Sequence, residues 1–461
     1  MTQSGSADAR VASSLRWNII AGCFGMFWLT VPLGAPLPLL MQSVEASGTQ
    51  QGWASAAWQL AMLAQLPAAI WISRMRSRKR LWAVVNTVHR LTWFVPALLP
   101  VWLPSRPDLW PWLIIASFAA GNFLANVGTV AWQSWMADLV PETSAGRFWN
   151  RRQLPLGFCL VAATLLYGVL LDRAEGLGKP LKGFQWVFGI CAVCGVLDIW
   201  VHLLVHEPEH VPEEQKVSVY ERLRCALHLP GFVTLTGAMA LWTGAQAMLG
   251  YNLGLPGFFS MVHLKEDHGV GYTFAAMIFA GAGLGTVVLS PWLGKWMDRY
   301  GADRVFRFLA VAAPFTLMLW WFPGTGYTEL WGGVHVPRAI VWMSAASVLQ
   351  GAVLGGAVLC HFRMAQMVTR PEGRTVAMGL HWCLVGVLAS FGSVFAGWLS
   401  DRLRGAVLPF GWKPFDLLVV VEALLVWFGV RPLLNRFDRH FRATSRVEDG
   451  GRLLGGGGES H

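Results

Sequence analysis

The feature that most constrains this chain is a series of apolar runs, each about the length of a membrane-crossing helix, separated by short connections rich in Lys and Arg. A helix of about 20 residues spans the ~30 Å hydrocarbon core of a bilayer. Runs of this kind fall at 17–40, 51–72, 81–103, 110–136, 155–171 and 184–205, and again at 229–263, 271–293, 305–322, 337–362, 375–400 and 414–432. Twelve spans fill nearly all of the 461 residues and leave no room for a large soluble domain. Only 13% of the residues are charged, about half the share of a soluble globular chain, and 26 Trp and 26 Phe cannot all hide in one water-surrounded core. Lipid offers no hydrogen-bond partners, so the spans must be helices, and Pro36, Pro38, Pro96 and Pro256 predict kinks within them. The first run has a polar start and no small-residue cleavage site, and is read as span one, not as a removable signal.

A net charge of +10 would suggest a nucleic-acid partner in a soluble protein, but here the basic residues cluster between apolar runs and report topology instead. With the N-terminus inside, 26 of the 36 Lys and Arg fall on that side and nine on the other. This excess predicts both termini in the cytoplasm and the chain in the cytoplasmic (inner) membrane, with the lipid bilayer as partner and no nucleic acid. The division expected is a cytoplasmic segment at 1–16, six spans over 17–205, a polar cytoplasmic linker at 206–228, six more spans over 229–432, and a basic, Gly-rich cytoplasmic tail at 433–461.

The halves echo each other. Gly146-Arg147 follows span four and Gly373-Arg374 follows span ten, 227 positions later. Leu171-Asp172-Arg173 ends span five and Ser400-Asp401-Arg402 ends span eleven, 229 positions later. A near-constant offset at two landmarks is the trace of a duplicated six-helix unit. The loop after span eight reads Gly294-Lys-Trp-Met-Asp298-Arg299-Tyr-Gly301-Ala-Asp-Arg304. This resembles the loop signature of the major facilitator superfamily, and with the twelve spans and the repeat it makes the chain similar to that family throughout. The resemblance implies an all-α integral membrane fold of two six-helix bundles. It also implies a conformational latch at Gly294, Asp298, Arg299, Gly301 and Arg304. The matching loop of the first half, residues 73–80, keeps the charge but not the Gly and Asp pattern. Span five lacks the Gly-Pro pattern that drug/proton antiporters of the family carry there, which disfavours multidrug efflux.

The resemblance also directs attention to spans one, four, seven and ten as the lining of a central cavity. Their candidate substrate-binding residues are Trp28, Asn126, Gln133, Trp242, Gln246, Asn252 and His361. Amides both donate and accept, and indole faces stack on flat apolar surfaces, a set suited to a neutral polyhydroxyl or amphipathic solute. The alternative role of such residues is to join helices or to anchor at the membrane interface. Intramembrane charges are costly and few. Arg90 and Asp198 lie at nearly the same depth, about nine and seven residues from the cytoplasmic ends of spans three and six, and can form one ion pair that either fixes two helices or serves coupling. Glu422, in span twelve, is the best single candidate for a proton carrier because burial penalises a charged carboxylate, with His361 and His381 able to share the role.

Cys191-x-x-Cys194 lies in a span with no second pair and reads as buried thiols, while His202, His206 and His210 read as part of a solvated connection. No Walker-type phosphate loop occurs, so ATP-driven pumping is not supported, and no cofactor or metal is called for. The reading is a secondary transporter, not an enzyme, moving a small organic solute by alternating access, with proton-coupled uptake of a sugar-like solute as its finer form and a monomer sufficing. The rivals are efflux of an amphipathic metabolite, a membrane-embedded enzyme using His361, His381 or Glu422 as base, and a non-transporting sensor on the same fold.

Overall fold

A computed structural model describes residues 2–72, 74–141, 145–209, 218–251, 257–321, 326–330, 334–369 and 374–439. Span one consists of α1 (Thr2–Leu33) and α2 (Pro36–Ser43), bent by 43° where Pro36 can neither donate to the ladder nor let its neighbour continue the helix. Span two is α3 (Gly48–Leu60), a 3-10 turn and α4 (Gln65–Ile72). Span three is α5 (Arg78–Thr92) and α6 (Phe94–Trp102), broken at Trp93 because the ring of Pro96 would meet the Thr92 carbonyl. Then come α7 (Trp110–Leu139), α8 (Ala145–Gly176) and α9 (Pro180–His202), and a short α10 (Val219–Leu227) in the linker.

The second half repeats the plan. Span seven is α11 (Phe232–Met248) and α12 (Phe258–Glu266), and spans eight to eleven are α13 (Tyr272–Tyr300), α14 (Ala302–Met318), α15 (Arg338–Met367) and α16 (Arg374–Arg402). An antiparallel hairpin, β1 (Tyr327–Leu330) with β2 (Val334–Pro337), joins α14 to α15, Tyr327 facing Pro337. Span twelve is α17 (Pro414–Leu425), continued through a π-helical stretch at Val426–Val430. Among the described residues eight helices are each long and apolar enough to cross a membrane, and a ninth when α1 and α2 count together. The other three crossings are the interrupted pairs α5–α6 and α11–α12 and the 17-residue α14. The chain is thus an all-α, twelve-helix membrane protein of two six-helix bundles.

Between helices in lipid the drive to associate is close packing, and small residues permit it. A Cβ at Gly285 of α13 would strike the Val348 carbonyl of α15, and one at Gly351 would strike Ala282 in return. Gly392 of α16 meets Gly244 of α11 in the same way. The bundles meet mainly along two seams, α3 with α16 and α8 with α13, which the internal repeat makes equivalent. At one end of each seam a carboxylate crosses over. Asp172, near the end of α8, accepts from the backbone N–H groups of Tyr272 (2.8 Å) and Thr273 (2.9 Å) at the start of α13. Asp401, near the end of α16, accepts from Gly48 N (2.6 Å), Thr49 N (2.7 Å) and the Thr49 hydroxyl (2.6 Å) at the start of α3. The repeat landmarks Asp172 and Asp401 are therefore reciprocal caps on helices of the opposite bundle. Further along these helices, Gly157 and Gly294 have nothing within 4 Å of where a Cβ would sit.

Candidate functional site

Two chambers with polar groups in their walls lie among the spans. The N-chamber, of about 270 Å³, is walled by Trp28, Arg90, Gln133, Arg152, Asp198 and His202, with Trp82, Asn86 and Trp132 beside them. Its floor is a continuous polar chain. Arg90 Nη2 donates to Asp198 Oδ2 at 3.0 Å, and the second carboxylate oxygen stands 3.2 Å from His202 Nδ1. His202 Nε2 then faces the Asn18 amide nitrogen at 3.1 Å, and Arg152 Nε donates to Asn18 Oδ1 at 2.9 Å. These contacts fix the proton of His202 on Nδ1, because Asn18 and Trp132 both approach Nε2 as donors. On the other side His89 Nδ1 faces Arg90 Nη1 (3.0 Å) and His89 Nε2 faces Trp93 Nε1 (3.2 Å), and a neutral imidazole accepts from one of them only.

The Arg90 guanidinium lies 3.5 Å from the centre of the Trp28 ring, a cation–π contact in a desolvated setting. Room for this cluster comes from glycine. A Cβ at Gly25 would meet the Asp198 carboxylate, and one at Gly195 would meet the Arg90 side chain.

The C-chamber, of about 60 Å³, is bounded by Trp242, Gln246, Tyr251, His361 and Trp382 of the second bundle and by Gln59 and Met62 of the first. Gln246 Nε2 donates to Glu422 Oε1 at 2.8 Å. Glu422 is fully buried, and its Oε2, like Gln246 Oε1, has no hydrogen-bond partner among the described residues. His361 and His381 meet Nε2 to Nε2 at 2.8 Å, with Thr236 Oγ1 2.9 Å from His381 Nδ1. Tyr251 donates its hydroxyl to Gln350 at 2.7 Å, and Gln350 in turn donates to the Thr316 carbonyl.

A third cavity, of about 510 Å³, opens where the caps lie, between Gln51, His263, Asp267, Arg404 and Lys413. There His263 Nδ1 is 2.7 Å from Asp267 and His263 Nε2 is 3.1 Å from His268. Burial, with His263 beside it, pushes the His268 imidazole down to about 4, so it is neutral at pH 7.

The structure thus gathers the expected residues unequally. Trp28, Gln133, Arg90 and Asp198 share the N-chamber; Trp242, Gln246 and His361 share the C-chamber, with Glu422 and His381 directly behind them. Asn126 is engaged elsewhere, accepting from Gln65 Nε2 at 2.6 Å and donating to the Asn122 carbonyl, and so joins α7 to α4. Asn252 lies outside the described residues. Gly294, Asp298 and Arg299 end α13, and Gly301, at φ +88, makes the turn into α14 that a side chain would strain. Asp298 and Arg304 form no ion pair among the described residues, whereas Arg307 bonds to Asp303 (2.8 Å) and Asp438 (3.5 Å). In the first half the buried Arg78 does the tying, donating to Asp138 at 2.6 Å while its backbone N–H caps onto Glu207. His202 is not on a solvated connection but 3% exposed inside the polar chain. His89, Arg152 and Asn86 were not singled out by sequence; their signal was a polar residue on a glycine-facing helix surface, visible only once helix rotation is known.

Two six-helix bundles with equivalent seams and chambers among their helices define a membrane transporter. The sequence matches the model of the Major Facilitator Superfamily over residues 18–334 and 243–447, and the chain belongs to that family. A probable transporter of Streptomyces coelicolor is 24% identical over 416 residues, covering 87% of this chain and 90% of that one. Among solved structures, a single-residue variant of the nucleoside transporter NupG superposes with a TM-score of 0.66 at 14% identity, over 93% of this chain and 100% of that one. A D-xylose-proton symporter gives 0.61 at 14% identity, over 91% and 97%. Both likenesses are of fold.

Proposed function

We propose that the protein carries a small organic solute across the cytoplasmic membrane by alternating access, its termini on the cytoplasmic side, with a proton taken up at Glu422 as the coupling step. The observation that supports this most is the Gln246–Glu422 contact, because Gln246 lines the C-chamber and Glu422 is sealed behind it. An ionised Glu422 requires the amide N–H₂ and leaves the amide oxygen, buried and without a hydrogen bond among the described residues, for the solute to meet. A protonated Glu422 offers its own O–H to the amide oxygen, and the amide turns to present N–H₂ instead. A solute hydrogen-bonded to Gln246 therefore binds one protonation state of Glu422 better than the other, which is the thermodynamic condition for coupling.

The test begins with thermal stabilisation of the purified protein by a panel of solutes, where a ligand at 100 times its Kd adds about 2.7 kcal/mol. The solute so found is then followed into proteoliposomes. Glu422→Gln is expected to abolish accumulation driven by a pH gradient while leaving solute exchange at equal pH. Gradient-driven accumulation that survives in Glu422→Gln would remove the proton assignment. Binding without any flux would favour a sensor, and conversion of the solute an enzyme.

A further inference from the structure

We propose that the N-chamber binds the carboxylate of an anionic organic solute, and that Arg152 is the residue that holds it. The inference rests on the transport reading and goes beyond it by assigning a second site, distinct from the C-chamber, and it departs from the neutral solute that the amides and indoles suggested on sequence alone.

The charge inventory of the chamber carries the argument. Its wall holds two guanidinium groups, Arg90 and Arg152, and one carboxylate, Asp198. Arg90 is committed to Asp198 and to the face of Trp28. Both oxygens of Asp198 are in turn committed, one to Arg90 and one to His202. Arg152 forms no ion pair among the described residues. Its Nε donates to Asn18, its guanidinium lies 5.6 Å from the Trp132 ring and 5.7 Å from the Trp149 ring, and among the described residues no hydrogen-bond acceptor is found for its terminal nitrogens.

Arg152 is half-buried near the start of α8, and a charge held partly out of water gains from a compensating anion. The guanidinium is built for that partner: two N–H groups in a planar fork match the two oxygens of a carboxylate. Asn18 fixes the fork through Nε and leaves the other end of it available. The lining also holds the indoles of Trp28 and Trp132 and the amides of Asn86 and Gln133. That combination selects a flat apolar body carrying one carboxylate. The volume of about 270 Å³ lies just below the ~300–1,000 Å³ of sites for drug-sized ligands, so the body is small, of the order of a single substituted ring.

The experiment reads binding, not transport. The purified protein is heated with benzoate, 4-hydroxybenzoate and indole-3-acetate, each paired with its own neutral amide, and with sodium chloride and sodium phosphate at matched ionic strength. At least one carboxylate is expected to raise the unfolding midpoint where its amide does not. Arg152→Gln is expected to lose about tenfold or more of the apparent affinity, as for a charge-assisted hydrogen bond removed. Arg152→Lys, which keeps the charge but not the fork, is expected to fall between the two and serves if Arg152→Gln does not fold.

Amides that stabilise as well as their acids, or a carboxylate effect unchanged in both Arg152 variants, would overturn the assignment. So would chloride or phosphate matching every carboxylate, which would make this an inorganic-ion site, or a lack of response to all three acids. A neutral solute that binds and is carried would leave the transport reading standing while this one falls. A carboxylate that binds through Arg152 without ever being carried would do the reverse.

Discussion

Arg90→Ala is expected to destabilise the N-terminal bundle by about 3–5 kcal/mol, the usual cost of leaving a buried charge without its partner. Asp198 stays behind at 6% exposure with only the His202 contact and the more distant Arg152 charge to compensate it, and the Trp28 ring loses the cation stacked on it. Adding Asp198→Ala is expected to restore most of the loss, because the second substitution removes the orphaned charge and leaves His202 still bonded to Asn18. A double-mutant cycle on thermal or denaturant unfolding measures the pair, and a coupling energy well above the error of the additive case is the expected result. If Arg90→Ala costs less than about 1 kcal/mol, or if the double variant is as unstable as the sum of the singles, the cluster does not work as a closed ion pair.

The ion pair was legible before any coordinates because membrane depth is a one-dimensional quantity. Counting residues from the end of a span gives height at 1.5 Å per residue, and Arg90 and Asp198 came out level. Rotation about the helix axis is a different matter. Asn126 and Gln133 lie seven residues apart on α7, almost two full turns and so close to one face, yet one joins α4 and the other lines the chamber. Which neighbour each meets depends on how α4 and α5 pack against α7, and no spacing within span four encodes that.

Charge at the edge of a span was equally ambiguous. Arg152 counts among the basic residues that set topology, and it does stand at the end of α8 that begins at Ala145, but its guanidinium folds inward onto Asn18. Long basic side chains reach several ångströms along a helix, so the position of the Cα does not settle where the charge sits. His202 misled for a related reason. Its neighbours in sequence, Glu207 and Glu209, are polar, but α9 carries it one turn from Asp198 and into the chain of buried contacts. The family loop fared differently again: its Gly301 turn is formed, yet the ion pairs beside it belong to Asp303, Arg307 and Asp438. The echo between Asp172 and Asp401 was visible as a repeat, and only the structure shows that each reaches the other bundle.

Asp172→Ala combined with Asp401→Ala is expected to open the face that these two carboxylates close, shifting the conformational equilibrium by roughly 30- to 1,000-fold. The estimate follows from the contacts. Each carboxylate accepts two backbone N–H groups at a helix N-terminus, an arrangement worth about 1–2 kcal/mol from capping and the helix dipole, and the two act on separate seams. About 2–4 kcal/mol is therefore withdrawn from the closed state and from no other, because these bonds exist only while the bundles touch. Spin labels at the exposed positions Leu177 and Val407 would report the opening as a second, longer distance. Each single variant is expected to produce about half the free-energy change, as independent caps should. An unchanged distance distribution in the double variant would mean that the seams hold through helix packing alone. Gly52→Ala separates those causes from the other side. It keeps both carboxylates and their contacts but places a Cβ against the Ser393 and Val394 backbone of α16, so it should open the α3–α16 seam alone and leave the Asp172 cap intact.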